Sequence, residues 1–217
     1  MRHGDLATGF YLVAFDEAAG RPGLHPGLLA CGVVGAELAD LIADGALTVT
    51  EAGAVERTGR APADRADDES AVLVLDSVAH EPRAHPVRAW IDALGPPVLE
   101  AVENRLVRDG VLASRRQRGL FGRGRPRLDV TDPVTVHAPV AALREMVRLP
   151  GTFTLHGAWT LVELGALGVE QLLEPDVDRA TARSVAAEAA AHLPAPLNRL
   201  RTGLAETAAA VSLTVQR

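Results

Sequence analysis

The chain of 217 residues is 47% hydrophobic and 23% charged, values that exclude wholesale disorder, a collagen-like repeat and a disulfide scaffold. Its length allows one large domain or two small ones at roughly 100 to 200 residues each, and a formal charge of −6 excludes a uniformly positive coat while leaving room for a local basic patch. Aromatic residues make up only 3% beside abundant Ala and Leu, which favours helices over the aromatic and β-branched strands of a sandwich or barrel. All 22 basic residues are Arg, a compositional bias rather than a functional signal. Cys31 stands alone, so neither an intrachain disulfide nor a cysteine-based metal knuckle can form, and a reducing cytoplasm is the expected setting.

Residues 6–15 form a short apolar run that reads as a buried helix or strand. An acidic pair follows it without a convincing cleavage site, so a signal peptide is not expected. The apolar stretch 22–36 is broken by prolines and glycines and is too short to span a membrane. Residues 18–26 form a turn-rich connector with Gly20, Pro22, Gly23 and Pro26. From 27 to 44, Leu28, Cys31, Gly35, Leu38, Leu41 and Ile42 recur at spacings of three or four. That is the period of a helix, here with Gly32, Gly35, Ala36 and Ala39 leaving room for close neighbours.

Gly45 stops this helix, and residues 47–50 and 54–57 around Gly53 read as a small hairpin. Residues 60–70, with Pro62, Asp64, Asp67, Asp68 and Glu69, read as a solvated loop without a calcium-liganding pattern. Helices are expected over 70–80 and 86–94, and another over 96–109, started by Pro96 and capped by Gly110. Further helices are expected over 134–148, 153–173, 178–192 and 197–214. The predicted fold is thus mainly α, a single helical domain with a protruding β-hairpin at 111–114 and 127–130 and a second small hairpin near 47–57.

The information-rich feature lies in the protruding hairpin. Arg115, Arg116, Arg118, Arg123, Arg125 and Arg127 fall within 13 residues that contain no acid, so this segment carries +6 against −12 for the rest. Arginines so concentrated repel one another, and their planar forks grip phosphates in bidentate fashion, which points to a lipid headgroup or a nucleic-acid backbone. Leu120 and Phe121 sit in the middle, where a tip exposed to water is ordinarily polar. Two apolar residues ringed by arginines suit insertion into an acyl boundary, with each basic residue near an anionic surface contributing on the order of 1 kcal/mol. The alternative to insertion is packing on a second copy of the chain, giving a homo-oligomer through the hairpin.

A winged-helix ending is the rival arrangement, with helix 96–109, the Gly110-Val111-Leu112 turn and the arginine hairpin laid on DNA. The segment before Pro96 lacks base-reading Arg, Asn or Gln on a recognition helix, and the body is acidic, so nucleic acid is the less favoured partner.

Order and spacing over most of the chain resemble the Golgi phosphoprotein 3 family, in particular its bacterial, actinobacterial-type members. The supporting segments are Ala39-Asp40-Leu41-Ile42-Ala43-Asp44-Gly45-Ala46-Leu47, Val87-Arg88-Ala89-Trp90-Ile91, and Val102 through Leu112 with its Leu-Val-Arg-Asp-Gly-Val-Leu ending. The hairpin around Leu120-Phe121 follows in the same order. The resemblance implies a helical domain with a protruding hairpin acting as a peripheral membrane adaptor on the inner face of the membrane, with anionic phospholipid and a client protein as partners and no catalytic role. Eukaryotic members bind phosphatidylinositol 4-phosphate. Where they carry a tryptophan before the small-residue helix and an arginine within it, this chain has His25 and Val34, so phosphoinositide specificity is not transferred.

Other candidates reduce to structure. His80 and His85 flank Glu81 at a spacing that suits no standard metal site, and His156 with Trp159 reads as a satisfied imidazole beside a packed aromatic. No G-x-S-x-G elbow, phosphate loop or H-E-x-x-H is present, so no catalytic residue, cofactor or metal is assigned.

Overall fold

The computed structural model describes residues 6–60, 65, 67–115, 127–149, 151 and 153–215. Among these the fold is mainly α, with short strands in small antiparallel sheets, as composition led one to expect. Helix α1 (Leu6–Val13) is apolar on every side and buried along its whole length. It lies against α2 (Pro26–Ala43), the central helix, which also packs against much of the rest of the core. Close approach is built into the α2 sequence. A Cβ on Gly32 would sit 2.0 Å from the Phe10 ring, and one on Gly35 would sit 2.7 Å from Leu204. Among the described residues α2 is the helix long and apolar enough to cross a membrane, but most of it is buried inside the protein, as befits a core helix.

Between α1 and α2 the connector forms a two-residue ladder, β1 (Phe15–Asp16) with β2 (Arg21–Pro22). The expected small hairpin is present as β3 (Leu47–Val49) and β4 (Ala54–Arg57), and β5 (His85–Pro86) adds a third strand that the sequence did not signal. Helix α3 (Glu69–His80) starts at the cap Asp68, whose carboxylate accepts from the Ala71 amide.

The segment expected to form two helices, 86–94 and 96–109, is one continuous helix, α4 (Val87–Arg108), with Pro96 and Pro97 inside it. Two prolines remove amide donors and ordinarily break a helix. Here Trp90, Ile91 and Leu94 before them and Val98, Leu99 and Val102 after them are all buried, so packing of both halves holds the helix together. Gly95 permits the approach to α2, since a Cβ there would meet that of Ala30 at 2.8 Å.

The second hairpin follows as β6 (Leu112–Arg115) and β7 (Arg127–Val130), then α5 (Pro133–Arg148), capped by Asp132. The helix expected over 153–173 is also revised. It is α6 (Leu155–Leu167), ended by Gly168 at φ +69° in a Schellman motif, with the Val169 amide donating to Leu164 O and the Gly168 amide to Gly165 O, and then a separate 3₁₀ turn Glu170–Leu173. Helices α7 (Arg179–Ala191) and α8 (Ala195–Val215) complete the core, α8 lying against both α2 and α6.

Candidate functional site

Of the hairpin residues singled out in the sequence, Arg115 ends β6 and Arg127 begins β7. Arg116, Arg118, Leu120, Phe121, Arg123 and Arg125 lie outside the described residues. Arg115 and Arg127 face each other across the ladder, a placement in which like charges repel. Each is drawn aside. Arg115 Nε lies 3.5 Å from Asp129 Oδ2 in an exposed pair, and the Arg127 guanidinium donates to two backbone carbonyls, Ala19 O at 2.9 Å and Ala18 O at 3.3 Å.

The hairpin root is held on several sides. Leu112 and Leu128 are buried in the core. The Thr131 and Asp132 amides both donate to Val111 O, and the Thr131 hydroxyl donates to Gly110 O, fastening β7 to the turn that follows α4. On the edge of β7 turned away from β6, the Leu128 amide donates to Gly20 O at 2.9 Å. Gly20 has φ +64°, and a Cβ there would lie 2.9 Å from Leu128 O, so at Gly20 the β1–β2 turn meets β7 backbone to backbone. In the sequence this turn reads as a connector, and of its turn residues Gly20 is the one that meets β7.

Beside the root runs a cleft of about 850 Å³ between α1, the end of α4 and the start of α5, floored by Leu12, Leu106 and Val111. Its two arginines are engaged with acids, Arg105 with Asp68 at 3.3 Å and Arg108 with Glu69 at 3.9 Å.

His25 and Val34, the two residues singled out by the resemblance, serve the fold. His25 caps α2, its Nδ1 accepting from the Gly27 amide at 3.1 Å, and Val34 is fully buried. Val34 therefore offers no group to a ligand at the surface.

A second polar locus was not anticipated. The loop 60–70 is expected to be solvated, and its described members Arg60, Asp67 and Glu69 are exposed; Asp68 and Ser70, however, are buried and Arg65 is half-buried in a network at the C-terminal end of α2. Arg65 binds Asp44 at 2.6 Å and lies within 4 Å of Asp40 and Asp68. Asp40, 1% exposed, accepts from the Leu6 amide at 2.8 Å and pairs with His156 at 3.3 Å. That contact with Asp40 raises the His156 pKa, so the imidazole is satisfied, as the sequence suggested, by a partner that the sequence did not reveal. Burial and the Asp68 charge push the Glu37 carboxyl up to about 8, and burial holds Glu163 well above the usual carboxylate range. These polar residues carry the mixed charges of a structural network, since charges taken from water must be paired or neutralised.

His85 pairs with Glu81 at 3.2 Å, and among the described residues no group of three or more His, Cys, Asp or Glu could hold a metal.

The described residues define a mainly helical protein whose β6–β7 ladder has Arg115 and Arg127 paired at its far end and is held at its root by the core, by the turn after α4 and by the β1–β2 turn. The sequence model of Golgi phosphoprotein 3 (GPP34) matches residues 6–211, nearly the whole chain, and the chain belongs to this family. A search of curated proteins finds no match.

Proposed function

We propose that this protein is a peripheral membrane protein that docks on anionic phospholipid headgroups through its arginine hairpin and acts as an adaptor, presenting its acidic body to a client protein. The observation that carries this reading is the segregation of charge, +6 within residues 115–127, on a hairpin whose root is firmly tied to the core of a Golgi phosphoprotein 3 family member. Arginines supply reversible, salt-sensitive attraction, and Leu120 and Phe121 add a shallow apolar anchor. The reading extends to anionic headgroups as a class, because the positions that carry the eukaryotic phosphoinositide ligands are here a helix cap and a buried valine. It places the protein at the cytoplasmic face of the membrane, acting by binding rather than catalysis.

Replacing Arg115, Arg116, Arg123 and Arg125 together by Ala tests it. The variant is expected to keep its melting temperature and lose sedimentation with anionic vesicles; unchanged sedimentation contradicts the reading.

A further inference from the structure

We propose that the β1–β2 turn is a brace that sets the orientation of the arginine hairpin, and that Arg127 is a positioning residue within that brace rather than a headgroup ligand. The inference rests on the membrane-docking reading above.

The contacts come from both directions. From the turn, Gly20 O accepts the Leu128 amide at 2.9 Å, so β7 has a backbone partner on its outer edge in addition to β6 on its inner edge. From the hairpin, Arg127 Nε reaches Ala19 O at 2.9 Å and one terminal nitrogen reaches Ala18 O at 3.3 Å. The turn is itself shaped to receive them. Asp16 Oδ1 accepts from the Ala19 amide at 3.1 Å, the Gly20 amide donates to Asp16 O at 2.8 Å, and Gly20 takes a left-handed conformation. His137 of α5 lies 3.5 Å from Glu17 on the same turn, tying it to a second element.

A two-stranded ladder on its own is marginally stable in water. A backbone contact on the outer edge of β7, reinforced by a guanidinium spanning two carbonyls, holds the ladder in one orientation at its root. The same geometry separates the hairpin arginines by role. Among the described residues Arg115 pairs with the exposed Asp129 side chain, an exchange that a phosphate can win, whereas two donors of Arg127 are already committed to main-chain oxygens.

Two variants remove the brace and keep every charge. Gly20→Val places a side chain against Leu128 O in a conformation that valine disfavours, and Arg127→Lys keeps the cation but lacks the fork needed for two carbonyls. Without vesicles, both are expected to speed hydrogen exchange of the Leu128 amide while the melting temperature stays near that of the natural chain; unchanged exchange overturns the brace. With vesicles containing phosphatidylglycerol, both are expected to weaken sedimentation although no charge is lost. In the Gly20→Val background, a further Arg127→Ala change should cost only about fivefold, the share of one basic residue near an anionic surface. Sedimentation of both charge-preserving variants at the natural level overturns the positioning role. Failure of the natural chain itself to sediment refutes the membrane reading separately, and the exchange measurement still decides the brace.

Discussion

Ser70 poses a question of proton count. Its Oγ lies 2.7 Å from Glu37 Oε2 and 2.8 Å from Asp68 Oδ1, yet a hydroxyl has one proton to give. Two ionised carboxylates would leave one contact without a proton between the oxygens. The arrangement is satisfied when Glu37 is protonated and donates to Ser70 while Ser70 donates to Asp68, in agreement with a Glu37 pKa raised to about 8. The consequence for stability follows by linkage. In the unfolded chain Glu37 ionises near 4.5, and in the folded protein it keeps its proton up to about 8. The folded state therefore holds the extra proton between these values, and stability declines as pH rises through the window, levelling off above it. Each unit of pKa difference is worth about 1.4 kcal/mol, so the effect amounts to several kcal/mol. Glu37→Gln, which has no proton to lose, should match the natural protein near pH 5 and exceed it in urea-melt stability at pH 8. A constant difference between the two across this range would contradict a protonated Glu37.

At the scale of elements, the parts legible in the sequence are those whose signal is local. The period of α2, the stop at Gly45, the two hairpins and the small residues that admit neighbours all follow from spacing and turn chemistry. Gly32 is the sharpest case, because the Phe10 ring occupies the space where a side chain would go. Gly32→Ala is expected to destabilise by about 1–3 kcal/mol through overpacking, measured by urea denaturation, and a neutral result would mean that α1 and α2 can part freely. What local signals missed depends on partners distant in the chain. Pro96 and Pro97 predict a break, and only burial of both flanks against the core keeps α4 whole. Residues 60–70 look soluble because their charges are visible and the pairing of Arg65 with Asp40 and Asp44 is not. In α6 the reverse happened. Gly168 falls inside the helix expected over 153–173, although a glycine in the left-handed conformation is a stop signal; Gly168→Ala should cost about 1 kcal/mol, seen as a lower melting temperature.

Across the whole molecule, the candidate site was legible as composition and not as geometry. Six arginines and two apolar residues mark the segment by composition, whereas the turn around Gly20 that receives β7 lies over a hundred residues earlier in the chain. Charge segregation also fixes how the molecule should behave in salt. Attraction between the +6 segment and an anionic surface is screened over about 8 Å at physiological ionic strength, so docking by arginines weakens as salt rises while an apolar anchor does not. Changing Leu120 and Phe121 together to Ser, which removes the apolar anchor and adds no charge, is therefore expected to reduce sedimentation at high salt by a larger factor than at low salt. A change in solution mass in that variant, with vesicle binding intact, would instead assign the two residues to contact between copies of the chain. The most direct measurement is sedimentation of the natural protein with vesicles containing phosphatidylglycerol, cardiolipin or phosphatidylinositol 4-phosphate, against neutral vesicles, at two salt concentrations. The expected result is sedimentation with anionic vesicles alone, reduced at the higher salt and without dependence on the phosphoinositide. Equal sedimentation with neutral vesicles, or none with any, would contradict membrane docking through the arginine hairpin.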